Sequence, residues 1–166
     1  MRVARASYDA CGRGELPSHV PIAFQIPTVV DPSLAPEGAH IASAYGFFFP
    51  CDAPDSERGK LRDEMAEQVI DRISRYMPSF RDLIVERAVF SSDHFAAMHG
   101  ATNGDFTHGL IHPEQMLAAR ALVKGSAHAT PIAGLYLCGA SCHPGPGVTF
   151  LPGYGCAHEV LDKELR

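Results

Sequence analysis

Residues 134–161 read GLYLCGASCHPGPGVTFLPGYGCAHEVL, and no other stretch limits the fold as much. Leu135-Tyr136-Leu137-Cys138 is a short apolar run and reads as a buried strand. Gly139, Ala140 and Ser141 follow, all small. Next comes a loop dense in glycine and proline, with Gly145, Pro146, Gly147, Pro152, Gly153 and Gly155. A helix is expected through Cys156, Ala157, Val160 and Leu161. A strand, a glycine-rich turn and a helix aim backbone N–H groups and a positive helix end at an anionic or electron-rich ligand. Glycine lets that backbone come close and take positive φ. The same order of elements also occurs as a plain connection.

Upstream, the periodicities predict a mixed chain. Residues 1–17 carry only the helical hint Val3, Ala6, Ala10. Val20–Ile26 reads as a strand with Pro21 at its entry. His40–Phe49 reads as a second strand whose aromatics Tyr45, Phe47, Phe48 and Phe49 predict a buried face, and the two strands are expected to pair antiparallel. Leu61, Met65, Val69 and Ile73 recur every four residues, widened by Ala66, Ile70 and Tyr76. They predict a helix over Ser56–Tyr76, capped by Ser56 and stopped by Met77-Pro78. Leu83–Phe90 reads as a third strand, Ser91–Met98 as a short helix with Ser92 as cap, and Pro113–Leu122 as a helix opened by its proline. No repeat, low-complexity tract or linker interrupts the chain.

At 166 residues the chain can bury a core of its own. A net charge of −5 and the lack of a basic run argue against a nucleic-acid partner. No apolar stretch reaches the length of a membrane span. The opening MRVARASYDACGRGELP lacks the apolar core of a signal peptide, so a cytoplasmic location is expected. There the five cysteines, none in a C-x-x-C pair, are expected as free thiols, with Cys138 packed as a small hydrophobe. His108-x-x-x-His112 near Asp105 has ligand-like spacing, but Gly109 and Pro113 break the helix it would need, so no metal is expected. Cys142-His143 are sequence neighbours, which does not give an oriented nucleophile–base pair.

The segment LYLCGASCHPGPGV followed by a small-residue helix resembles the C-terminal flavin-binding signature of the phytoene-desaturase-like FAD-dependent oxidoreductases, in the pyridine nucleotide-disulfide oxidoreductase domain-containing branch. GELPSHVPIAFQIPTVVDPSLAPEGAHIASAY, PSFRDLIVERAVFS and NGDFTHGLIHPEQMLAAR are similar to other segments of that family, so nearly the whole chain is covered. Four positions depart from its pattern: Pro146 replaces glycine, Phe150 a small residue, and Gly155-Cys156 an Asn-Ala pair.

The resemblance implies an α+β fold: an antiparallel substrate-domain sheet with helices over 1–133, then a C-terminal strand–loop–helix, 134–166, belonging to an FAD-binding, Rossmann-like domain. It implies that Gly139, Ala140 and Ser141 approach the pyrophosphate or ribityl chain of FAD, that Gly145 also belongs to the cofactor-binding loop as a contact residue, and that Gly147, Val148 and Thr149 sit beside the isoalloxazine ring. His108 would line a pocket for a small hydrophobic substrate. No G-x-G-x-x-G follows any strand here. The expectation is therefore a C-terminal part or subunit of a flavoenzyme, inactive alone, with a second chain or missing portion supplying the dinucleotide-binding half. A stand-alone, non-catalytic binding module is the alternative. A half enzyme should also expose an apolar face, with Leu135, Val148, Phe150 and Leu151 as candidates.

Overall fold

In the computed structural model, which describes residues 2–105, 107–109 and 111–164, the first element is a helix, α1 (Arg2–Cys11). The weak Val3/Ala6/Ala10 pattern gains its helix from packing: Ser7 and Ala10 are buried. The Ser7 hydroxyl lies 2.9 Å from the Val3 carbonyl oxygen and 2.8 Å from that of His19, tying α1 to the turn where Pro17 and Val20 are buried.

Strands β1 (Ile22–Gln25) and β2 (Ser43–Gly46) pair antiparallel, with Ile22 opposite Gly46 and Gln25 opposite Ser43. Both are shorter than expected. Pro27 begins a 3-10 turn that ends β1, and Phe48 at φ 66° takes β2 out of the extended region. Tyr45 and Phe47 are exposed, packing edge to face on each other at 4.7 Å, so the aromatic run is not the buried face predicted from it.

Helix α2 (Asp55–Ser74) follows the predicted stripe, burying Met65, Ile70 and Ile73, while Tyr76 stays outside. Its cap differs from the expectation. Pro54 precedes the first turn and no side chain caps it, and Ser56 lies inside the helix. Asp55 and Glu57 in the first turn and Arg72 in the last suit the helix dipole instead. A Cβ on Gly46 would lie 2.9 Å from Met65 Cε and 3.2 Å from Val20 Cγ1, so the missing side chain lets β2 approach α2 closely.

The third predicted strand does not form. After a 3-10 turn at Arg81–Leu83, residues 84–90 have no ladder partner among the described residues, and Val85 is fully exposed. Ion pairs hold this segment on α2. Arg81 reaches Glu67 at 2.9 Å and Asp71 at 2.8 Å, and Arg87 reaches Glu67 at 2.5 Å. The Leu83–Phe90 alternation registered chain next to α2, not a sheet edge.

Helix α3 (Ser92–His99) starts one residue later than predicted, and the hydroxyl of Ser91 donates to the Asp93 carboxylate beside its start. The chain divides into two compact units, Met1–Asp93 and His94–Arg166. In the second, the predicted helix Pro113–Leu122 is two 3-10 turns, Pro113–Gln115 and Leu117–Arg120. Met116 between them is extended at φ −116° and ψ 160°, which interrupts any helical ladder. Leu135–Cys138 is not a strand either. Its pairing is a single bridge, Ala129 with Tyr136, plus the Leu137 N–H donating to the His128 carbonyl at 2.8 Å. Leu135 and Cys138 are exposed, so Cys138 is not the packed hydrophobe expected. Helix α4 (Leu151–Glu164) begins earlier than the apolar pattern predicted, because Pro152 is tolerated in a first turn.

The described residues therefore form an α+β chain with a two-strand antiparallel sheet and helices. No described helix is long and apolar enough to cross a membrane.

Candidate functional site

The second unit gathers the glycine loop and the His108 turn around one side chain, Arg120. Its guanidinium donates to the Ala140 carbonyl at 3.0 Å, to the His108 carbonyl at 3.3 Å and to the Gly109 carbonyl at 3.5 Å. A Cβ on Gly145 would lie 3.3 Å from Met116 Cε and 3.5 Å from Arg120 Nε, so Gly145 is buried against these two residues at φ 114°. Residues 108–109, 116–120 and 140–145, separated in sequence, thus share one polar knot. Arg120 carried no signal in the sequence. It lies within the predicted helix Pro113–Leu122, and only its place in space gives it a role.

The His108 turn is itself preorganised. The Asp105 carboxylate accepts from the N–H of Thr107 at 2.8 Å, from the Thr107 hydroxyl at 2.5 Å and from the N–H of Gly109 at 2.8 Å. Partial burial pushes the Asp105 carboxyl up, but these bonds and the nearby His108 outweigh it and hold it below its ordinary value. His108 takes φ 54° and its side chain is exposed.

Along the loop, Gly139, Ser141, Gly147, Val148 and Thr149 are exposed and Ala140 is half-buried. Among the described residues, none of the backbone N–H groups of Gly139, Ala140, Ser141, Gly145, Gly147, Val148 and Thr149 has a protein acceptor. The Thr149 hydroxyl oxygen accepts from the N–H of Leu151 at 3.3 Å, satisfying the first donor of α4. Gly147 sits at φ 150°, which a side chain adopts with strain, whereas a Cβ on Gly139 would meet nothing within 4 Å. Glycine is thus required by the fold at 147 but not at 139. Val148 and Phe150 are 98% and 84% exposed, and Leu135 and Leu151 are exposed as well.

Behind the loop, α4 is fastened to residues 126–137. The buried His128 ring places Nδ1 3.0 Å from the Leu137 carbonyl oxygen, and its other edge faces Gly155. The Ser126 hydroxyl donates to the Glu159 carboxylate and accepts from the N–H groups of Ala129 at 2.8 Å and His128 at 3.3 Å. Lys163 closes the network, 2.9 Å from Glu159 and 5.0 Å from the centroid of the Tyr136 ring. Desolvation pushes the Glu159 carboxyl up, yet the bonds from Ser126 and Lys163 bring it below its ordinary value.

All five cysteines are free. Burial raises the Cys142 and Cys156 thiols. The described residues contain no group of three or more side chains able to hold a metal ion, and His112 Nδ1 instead accepts from the Glu114 N–H at 3.4 Å. A cleft of about 350 Å³ lies against α2, lined by Glu67, Arg81, Glu86 and Arg87 among others, far in sequence from the glycine loop. Arg81 and Arg87 in it are both paired with Glu67.

No protein-family profile matches the chain, and no solved structure matches it. Curated proteins do. The chain is 34% identical over 160 residues to pyridine nucleotide-disulfide oxidoreductase domain-containing protein 2 of Rattus norvegicus, covering 93% of this chain and 27% of that protein. It is 33% identical over 165 residues to a chloroplastic prolycopene isomerase 2 of an Oncidium hybrid cultivar, covering 92% of this chain and 26% of the relative. It is 32% identical over 132 residues to the lycopene-forming phytoene desaturase of Pseudescherichia vulneris, covering 74% of this chain and 24% of the relative. The chain spans about a quarter of the length of these relatives. It is homologous to the C-terminal portion of the phytoene-desaturase-like oxidoreductases of the pyridine nucleotide-disulfide oxidoreductase domain-containing branch.

Proposed function

We propose that this chain supplies the isoalloxazine-side loop of an FAD site, and part of the adjoining substrate pocket, in a flavin-dependent oxidoreductase of the dehydrogenase or desaturase type. The observation that carries this is the stretch 139–149, in which the exposed backbone N–H groups of Gly139, Ser141, Gly147, Val148 and Thr149 have no protein acceptor among the described residues and lead into the N-terminus of α4. Such donors suit a phosphate-bearing, electron-rich cofactor, because they need not give up a protein acceptor to bind it. FAD, when bound, would supply the acceptor for a hydride from substrate.

The chain's own residues would bind and orient. The N–H groups of Gly139, Ala140 and Ser141 face the pyrophosphate or ribityl chain. Those of Gly147, Val148 and Thr149 lie beside the ring, where the positive end of α4 favours negative charge. The Thr149 hydroxyl keeps its proton free to donate, since its oxygen is what serves the Leu151 N–H. Gly145 shapes the loop from behind through Met116 and Arg120. His108, tied through its carbonyl to the same Arg120 as Ala140, is the candidate to line the pocket of a small hydrophobic substrate. The dinucleotide-binding part would come from elsewhere, in the same polypeptide or in a second chain. The exposed Val148, Phe150 and Leu151 are the apolar surface it would cover.

Reconstitution tests this reading. The purified chain should be colourless, and mixing it with a polypeptide carrying the G-x-G-x-x-G portion of a relative should give the absorbance of oxidised flavin. Gly139→Val should remove that colour with the circular dichroism of the chain unchanged, because its side chain meets nothing in the chain itself. Stoichiometric FAD on the isolated chain, or full colour with Gly139→Val, means the loop does not do this.

A further inference from the structure

We propose that the end of α2 and the turn before β1 form a binding site for a phosphate group, with Arg72 and Arg75 as its two cationic donors. A cleft of about 120 Å³ opens there, lined by Ser18, His19, Gln68, Asp71, Arg72 and Arg75 together with the buried Val20. Gln68, Arg72 and Arg75 follow one another at spacings of four and three, which puts them on one face of the helix end. The opposite wall is fixed, because the Ser7 hydroxyl donates to the His19 carbonyl at 2.8 Å.

The charges in this cleft are not cancelled within the chain. Elsewhere in the same unit, Arg5, Arg13, Arg58, Arg62, Arg81 and Arg87 are each ion-paired with a carboxylate. Among the described residues neither Arg72 nor Arg75 has such a partner or a hydrogen-bond acceptor. The one carboxylate in the cleft, Asp71, is committed to Arg81 at 2.8 Å. Two guanidiniums three residues apart thus stand without an anion between them. The carbonyl end of α2 opposes an anion with about half a charge, and two full positive charges outweigh it.

Charge and size select the ligand. A phosphate monoester carries about −1.5 to −2 at neutral pH, which matches both arginines, whereas a single carboxylate would leave one unmatched. The planar guanidinium donates two parallel N–H groups to phosphate oxygens. The Gln68 amide and the Ser18 hydroxyl line the same space and add neutral donors. At about 30 Å³ per water, the cleft has room for about four water-sized groups. That suits one phosphate group and excludes a whole nucleotide, whose remainder would lie outside. This inference does not depend on what the glycine loop binds.

The test titrates the whole chain with inorganic phosphate at constant ionic strength and neutral pH, following the arginine Nε–H signals by NMR. Those of Arg72 and Arg75 should move together along one saturating curve. Arg72→Gln and Arg75→Gln should each weaken binding by about tenfold or more. Arg62→Gln, which removes the same charge from α2 at a residue paired with Asp63, should bind as the wild type does. Glycerol phosphate distinguishes a free ion from the phosphate end of a larger molecule, and saturation by either one supports the site. A shift that stays linear with both, or a loss equally large in Arg62→Gln, means an adventitious ion only and overturns the proposal. Acetate binding as tightly as phosphate overturns the assignment to a phosphate group. The wild-type titration stands on its own should a variant fold poorly.

Discussion

A Cβ placed on Gly155 would lie 2.7 Å from Nε2 of His128, so the buried imidazole occupies the volume that any side chain at 155 would need. His128 is only 4% exposed and is held at its other edge by the Leu137 carbonyl. The ring has little room to retreat, and the contact fixes how α4 lies against residues 126–137.

Gly155→Ala should therefore destabilise the second unit, although alanine is the better helix former. Overpacking of a filled site costs about 1–3 kcal/mol, against a propensity gain of about 1 kcal/mol. Gly153→Ala is the control. It lies in the same helix with nothing within 4 Å of its added carbon, and should be neutral or stabilising by up to about 1 kcal/mol. Urea denaturation of the two variants measures the difference, and equal midpoints would show that His128 yields easily.

The Glu159 carboxyl, lowered by Ser126 and Lys163, gives the α4 attachment a pH dependence. A group whose folded value lies below its unfolded value contributes stability above the unfolded value, about 4.3 for glutamate. That contribution is lost as the pH falls through the folded value. Asp105, also lowered, acts in the same direction below about pH 3.9. Unfolding followed between about pH 6 and pH 3 should show falling stability, and Glu159→Gln should flatten part of that slope while leaving the limb above pH 6 unchanged in shape. An unaltered slope in the variant would mean that the carboxylate bonds are not maintained in solution.

Arg120 holds the carbonyls of His108, Gly109 and Ala140 at once. Hydrogen bonds to a charged group contribute roughly 1.5–3 kcal/mol when a partner is removed, and partial exposure brings this towards the lower end. Arg120→Met keeps the stem that packs near Gly145 and removes the donors. It should speed amide exchange at residues 107–109 and 140–142 together and leave α2 unaffected. Arg120→Lys should restore one of the contacts. Acceleration in one segment alone would separate the two loops.

Phe150 occupies φ 59° immediately before α4, and its carbonyl accepts from the N–H of Tyr154 at 3.0 Å. A bulky aromatic in the left-handed region is strained by about 1 kcal/mol or more, and its ring here gains no burial. Phe150→Asn, a residue at ease in that region, should raise the denaturation midpoint of the chain by the equivalent of about 1 kcal/mol. If the exposed ring docks on the proposed dinucleotide-binding portion, the same variant should weaken reconstitution with it. A variant that is more stable and reconstitutes as well as the wild type would leave Phe150 without a docking role.

The elements whose information is local were legible in the sequence. The four-residue recurrence of Leu61, Met65, Val69 and Ile73 defined α2 to within two residues at each end, because a helix buries one face whatever lies opposite it. The antiparallel partnership of β1 and β2 was equally readable, as was the order of small and glycine residues in the 139–149 loop. What tertiary structure alone decided was which apolar runs obtain partners. Leu83–Phe90 and Leu135–Cys138 have strand-like composition, but a strand exists only when a neighbouring edge accepts its hydrogen bonds, and neither run meets one among the described residues. The cap of α2, the break at Met116 and the exposure of Cys138 are likewise set by what surrounds them. Arg120 and His128 are the clearest instances. Each is a single polar residue without a motif: Arg120 acquires its role by bonding to carbonyls of His108, Gly109 and Ala140, and His128 by bonding to the Leu137 carbonyl while its other edge fills the space beside Gly155. Sequence spacing encodes periodic burial; convergence of backbone acceptors on one side chain is a property of the folded coordinates.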